Sequence, residues 1–179
     1  MFHIFVLAYC VLSVSATIFI KGPCPSLKGV DNFNITAYAS GKWFEIARYP
    51  NDWENRGNCV SKVFNPEGSN YKFRLTDVVD HSQTYYDGRI ELAPEAGNTG
   101  LLNYISTAYE GMYHRRMIHW QMADLLHSES KVHNFAWVMS RSKSLQGKTK
   151  TKVDNFIKSS NLIDPSKLIW VDFTEDACK

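Results

Sequence analysis

"SGKWFEIARYPN", residues 40–51, decides how the chain is read. A Gly immediately ahead of a strand marks a tight bend, and a Trp just inside it buries more area than almost any other side chain. The run therefore reads as a strand that enters a core with an aromatic plug at its start. Alternation alone does not orient it. One parity groups Trp43, Glu45, Ala47 and Tyr49, the other Phe44, Ile46 and Arg48, and both are half apolar. A strand apolar on both faces needs cover on both, so an interior on the Trp43 side and an outer layer on the other are expected.

The segments that follow are short strands. "YKFRLTD", Tyr71 to Asp77, alternates cleanly, with Tyr71, Phe73, Leu75 and Asp77 on one face and Lys72, Arg74 and Thr76 on the other. Ahead of it "CVSKVF" runs into "NPEG", Asn65 to Gly68, a turn signal between two antiparallel strands. Further strands are predicted over 84–92, 101–109, 116–126 and 135–140, with a last short one over 167–173. One helix interrupts them: in "TKTKVDNFIKSSN" from Thr149, Val153, Phe156 and Ile157 fall at helical spacing while the lysines point elsewhere. Strands so spaced leave two open edges unless the sheet closes. The expected fold is all-β, an eight-stranded up-and-down antiparallel barrel with one C-terminal α-helix packed outside. Such a barrel holds one small ligand.

Composition excludes several functions. With 179 residues, 44% apolar and 13% aromatic, the chain suits one globular domain. A net charge of +2 is no electrostatic footprint for nucleic acid. Lys148, Lys150, Lys152 and Lys158 read as a solvated helix face. There is no nucleophile elbow, no phosphate-cradling glycine loop and no dinucleotide fingerprint, and "GNTG" is a turn. His114, His119 and His127 lack metal-ligand spacing, His81 sits in the turn-like "DHSQ", and Met112, Met117, Met122 and Met139 read as packing. No catalytic residue, metal ligand or required cofactor is expected.

The N-terminus reads as an address. "IFVLAYCVL" followed by "VSA" places a signal peptide over 1–16, cleaved after Ala16, and leaves a domain over 17–179 that is secreted to an extracellular space. An uncleaved anchor of about 20 residues is just long enough to span a bilayer, but Ser13, Ser15 and Thr17 interrupt the apolar run, so no membrane span is expected in the mature form. Asn34, Ile35 and Thr36 form a glycosylation acceptor. Loss of Cys10 with the signal leaves Cys24, Cys59 and Cys178, an odd count that allows three pairings. A Cys59–Cys178 bridge closes a loop worth about 4 to 5 kcal/mol in the chain-entropy model.

"SGKWFEIARYPN", "FAWVMSRSK" from Phe135 and the late "LIWVDFTEDAC" together resemble a lipocalin, of the insect bilin-binding and apolipoprotein D branch, over most of the mature chain. The resemblance implies that Trp43, set by Gly41, plugs the closed end of the barrel, and that Arg141 lies across its indole. It implies a Cys59–Cys178 disulfide. It also assigns Cys24 a partner on a later strand near Ala123, where this chain has no sulfur. Cys24 is thus expected to be unpaired, available for an intermolecular disulfide that makes a dimer, or for covalent attachment of a ligand or partner. Between Tyr109 and Arg116 the family's second signature turn is replaced by "YEGMYHR", and the stretch from Gly88 to His133 is short for its strands. One tightened side of the barrel, or a lost strand, is expected there.

Alternation nominates Phe73, Leu75, Asp77, Tyr86, Tyr104, Met122, His133, Phe135 and Trp137 as lumen residues, with Trp53 at the mouth. The set is aromatic and sparsely polar, which suits a flat hydrophobic ligand. It equally suits plain core filling. The resemblance implies bound biliverdin first, then a retinoid, sterol or fatty acid. A secreted protein-interaction or signalling module that uses the barrel as scaffold is the competing reading, since a fold does not dictate its cargo.

Overall fold

The computed structural model describes residues 19–21, 29–50, 57–106, 115–118, 121–124, 131–160 and 163–179. The side chains at 19–21, 106, 115–118, 121–124 and 131–135 lie outside that description. Residues 1–16, Cys24 and Trp53 fall outside it altogether.

The clean alternation of the Tyr71 to Asp77 stretch is reproduced in the burial pattern of one wall strand. β4 (Asn70–Val79) buries Phe73, Leu75 and Asp77 and exposes Lys72 and Arg74. It pairs with β5 (Ser82–Leu92), Leu75 opposite Tyr86 and Phe73 opposite Gly88. On its other edge it pairs with β3 (Asn58–Glu67), Lys62 opposite Leu75 and Phe64 opposite Phe73. Gly88 is required where it stands, because a Cβ there would overlap the ring of Phe73 and the carbonyl of Ile105. The turn between β3 and β4 lies at Gly68 and Ser69, later than the tetrapeptide from Asn65 indicated. Pro66 and Glu67 still pair, with Tyr71 and Asn70, and Gly68 supplies the left-handed φ of +61° that a two-residue hairpin needs.

Beyond β5, each strand pairs with the next through β6 (Leu101–Ser106), β7 (Arg115–Ile118), β8 (Gln121–Asp124) and β9 (Lys131–Ser140). β9 then returns to β2 (Lys42–Arg48), which closes the antiparallel sheet. Among the described residues the sheet counts ten strands, because β1 (Phe19–Lys21) adds to β9 and β10 (Ile169–Trp170) adds to β2. The segment read as one strand over 116–126 is two, β7 and β8, folded back with Met117 opposite Met122 and Ile118 opposite Gln121. A strand folded back onto its neighbour leaves little trace in hydrophobic alternation. Among the described residues of the Gly88 to His133 stretch, β6, β7 and β8 span 6, 4 and 4 residues. The last strand is likewise shorter than 167–173, since Pro165–Lys167 forms a 3-10 turn with Asp164 as its cap.

β2 explains its own ambiguous pattern. Its register against β9 shifts between Glu45 and Ala47, so Ile46 is an extra, bulged residue. Parity flips across the bulge. Ile46, Ala47 and Tyr49 all pack into one outer cluster with Ala136 and Val138 of β9, with Phe44 at its margin. Trp43 packs against the opposite, interior cluster, and Glu45 and Arg48 are buried together. The two half-apolar faces expected from strict alternation are therefore one apolar outer face and one inner face of Trp43, Glu45 and Arg48.

Helix α2 (Gly147–Ser159) supplies the outer layer, with Ile157 buried and Val153 packed in the same cluster, beside Ile163 and Leu168. At the Trp43 end the chain from Gly29 crosses the barrel floor, held by bonds from Gly100 N–H to Val30 and from Phe33 N–H to Asn98. It then forms the single turn α1 (Ile35–Tyr38), capped by the Asn34 side chain.

Candidate functional site

The barrel has a closed end and an opposite end, and each is set by chain direction. β2 runs away from the Trp43 end, so the β4 to β5 turn at Asp80 and His81 borders the far end. Residues 51–56, 107–114 and 125–130 lie outside the described residues.

The closed end is an aromatic stack under a cation. Tyr38 sits 5.4 Å from Trp43, 5.5 Å from Phe64 and 5.5 Å from Phe33, measured between ring centroids. Burial pushes its hydroxyl pKa up to about 12, against a smaller opposing effect of Arg141. Trp43 donates its indole N–H to the Tyr38 carbonyl at 2.8 Å. The Arg141 guanidinium lies 3.7 Å from the Trp43 ring centre and donates to the carbonyls of Ala37 (3.0 Å), Tyr38 (3.1 Å), Ser40 and Lys42 (3.4 Å). One side chain thus covers the indole face and satisfies carbonyls that the end of α1 leaves open. Gly41 turns the chain between them at a φ of +65°, a region where a Cβ is penalised.

Above that floor comes a layer of rings. Phe73 stacks on Tyr104 at 4.4 Å, meets Tyr86 edge-on at 6.0 Å and Phe64 at 6.3 Å. The Tyr104 hydroxyl points to that of Tyr86 at 3.4 Å. Ile90 and Leu102 are fully buried beside them. Trp137 of β9 packs against the same cluster.

Charges lie inside as well. Lys62 is 9% exposed, with its ammonium 4.9 Å from the Tyr104 ring and 5.2 Å from that of Phe73. Glu45 and Arg48, 1% and 2% exposed, form an ion pair at 3.0 Å, and Arg48 also donates to the Gly57 carbonyl at 3.3 Å. Gly57 in turn leaves no room for a Cβ against the carboxylate of Asp77, which accepts a bond from the Thr84 hydroxyl. Asp77 is buried. Among the described residues, two cations and two carboxylates are thus buried inside the barrel, where an ion costs several kcal/mol unless it is paired.

Of the residues nominated from alternation, Phe73, Leu75, Asp77, Tyr86, Tyr104 and Trp137 come together on the interior side. Met122, His133 and Phe135 are placed by backbone alone, Met122 opposite Phe135 and His133 opposite Asp124. Glu45, Arg48 and Lys62 were missed. Lys62 carried a signal, for it shares its parity with Val60 and Phe64; Glu45 and Arg48 carried none, because the bulge separates them from a common parity. Cys59 and Cys178 are joined by a disulfide that ties the C-terminal tail to the start of β3, and His81 at the β4 to β5 turn meets the carbonyl oxygen of Lys179 at 3.3 Å. Among the described residues no group of His, Cys, Asp and Glu could hold a metal ion, and no helix is long and apolar enough to cross a membrane.

A closed antiparallel barrel, floored by aromatic rings and lined higher up by buried polar groups, is the architecture of a protein that encloses a small molecule. The chain matches no protein-family model. It is 35% identical to insecticyanin-B of Manduca sexta over 99% of this chain and 92% of that one. It is 34% identical to the bilin-binding protein of Pieris brassicae over 94% of each. The structure of insecticyanin from the tobacco hornworm Manduca sexta aligns at a TM-score of 0.76 with 30% identity, covering 91% of this chain and 93% of that one. Lobster apocrustacyanin A1 shares the fold, with a TM-score of 0.65 at 16% identity and coverage of 88% and 92%. The chain belongs to the insect bilin-binding lipocalins.

Proposed function

We infer that the protein is a secreted carrier that holds one small hydrophobic molecule inside the barrel, a biliverdin-like bilin before a retinoid, sterol or fatty acid. The observation that carries this reading is the buried set Glu45, Arg48, Lys62 and Asp77 above a sealed aromatic floor. A barrel that served only as scaffold would gain by filling that volume with hydrophobes, because a buried ion pair is on balance no better than well-packed apolar residues. A linear tetrapyrrole is complementary to that lining: a flat conjugated body for Phe73, Tyr86 and Tyr104, carboxylates that add to the contacts Arg48 and Lys62 already make, and pyrrole N–H donors for Asp77. The relative from Pieris brassicae is named for binding bilin, which supports the same choice. Leu75 and Trp137 would flank the ligand, with Trp53, Met122, His133 and Phe135 completing the wall and mouth.

The mature chain begins at Thr17 in this reading, after cleavage behind Ala16, with Asn34 open to glycosylation and Cys24 free to form a dimer. Protein purified without pigment is titrated with biliverdin, retinol, cholesterol and oleate while tryptophan fluorescence is followed. Saturable quenching by biliverdin near one equivalent, with a visible absorption band, is expected. Quenching by none of the four would overturn the carrier reading in favour of an interaction scaffold. An intact mass on the secreted product checks the Thr17 start and the glycan, and a non-reducing gel checks the dimer.

A further inference from the structure

Outside the barrel wall, between α2 and β9, lies a cleft of about 190 Å³. Its walls are Ala136 and Val138 on the sheet, Val153 and Ile157 on the helix, and Ile163 and Leu168 on the following segment. The apolar stripe of α2 is incompletely closed over it: Ile157 is buried, whereas Phe156, which lines the same cleft, remains 50% exposed. A packed interior tolerates few voids larger than a water molecule. An apolar cavity of roughly 150 Å³ stays dry and accepts a benzene-sized guest, and this one is larger.

Among the described residues the lining has a single charged member, Lys152, at the exposed edge of the helix. Its neighbour Lys150 is engaged by Asp154 at 2.6 Å, whereas Lys152 makes no ion pair among the described residues. An apolar slot with one available cation at its lip is complementary to an amphiphile with one negative head. We propose that this cleft is a second ligand site, separate from the barrel interior, which takes the alkyl tail of a medium-chain carboxylate and places its head group against Lys152. A neutral alcohol of equal length lacks the head-group contact and binds through the tail alone. The site does not depend on what the lumen holds.

Decanoate and decanol are titrated into the mature protein carrying carbon-13 methyl labels. Decanoate is expected to shift the Val138, Val153, Ile157, Ile163 and Leu168 methyls in a saturable way. Lys152→Gln, an exposed substitution, is expected to weaken decanoate about twofold to fivefold, as loss of an exposed ion pair does, and to leave decanol unchanged. Val153→Phe fills the slot and is expected to abolish both; should that variant not fold, Ala136→Val serves in its place. Shifts confined to Leu75, Ile90 and Leu102 would put the chain in the lumen and overturn the proposal. So would shifts at the cleft that appear with protein concentration alone, which would mean that a second copy covers it. Equal affinity of Lys152→Gln for decanoate would refute the head-group assignment.

Discussion

Replacing Arg141 by Met removes the cation that holds the barrel floor together. The guanidinium lies 3.7 Å from the Trp43 ring, a contact worth about 0.5 to 2 kcal/mol. It also donates to four carbonyls at the end of α1 and the start of β2. Water can replace much of that bonding because Arg141 is on the surface, so the net loss from those bonds is about 1 kcal/mol. The sum is about 1.5 to 3 kcal/mol, or a Tm lower by about 3 to 12 °C for a chain of this size. Arg141→Lys keeps the charge without the planar fork and is expected to lose roughly half as much. Urea unfolding followed by tryptophan fluorescence measures both, with an unchanged m-value as the condition for comparing midpoints. Arg74→Met is the control: Arg74 pairs with Asp87 at 2.7 Å and lies 4.6 Å from the Tyr85 ring, all on the solvent face, and its loss is expected to lower the midpoint clearly less than that of Arg141. The reasoning fails if Arg141→Met unfolds at the wild-type urea concentration, or if the Arg74 control is as damaging.

Gly88→Ala is expected to destabilise by about 1 to 3 kcal/mol, the cost of overpacking, because the added methyl overlaps Phe73 and the Ile105 carbonyl; urea unfolding reads it directly. Double replacement of Cys59 and Cys178 by Ser opens a link across 119 residues and should cost about 4 to 5 kcal/mol in the chain-entropy model, again seen as a lower urea midpoint. Tyr38 keeps its proton in the folded protein to about pH 12, whereas the unfolded chain releases it near 10.0. The unfolded state therefore binds fewer protons in that interval, and this contribution to stability is present below pH 10 and falls as the pH rises toward 12. A Tyr38→Phe variant should show a smaller fall in urea midpoint over that window.

Where period and burial agree, the chain was easy to read. β4 alternates without fault, and α2 shows its stripe at Val153 and Ile157, because each element has one wet face and one dry face. The floor was legible from Gly41 and Trp43, but the partner Arg141 stands 98 residues later and became visible only through family likeness. Three features escaped. The bulge at Ile46 carries no composition signal, so Glu45 and Arg48 looked as if they lay on opposite faces when they form one buried pair. The fold-back of β8 onto β7 falls in a stretch that holds no Gly, Pro, Asn or Ser between Arg115 and Ala123 to announce it. Lys62 is buried although composition puts a lysine in water; only its shared parity with Val60 and Phe64 points inward.

The measurement that bears most directly on the account is a crystal structure of the protein saturated with biliverdin. Density for the tetrapyrrole is expected above the Phe73 and Tyr104 rings, with its carboxylates near Arg48 and Lys62 and with Trp43 beneath, out of contact. A bilin bound on the outer wall, or one that reaches Trp43 through a floor without the Arg141 contact, would contradict it.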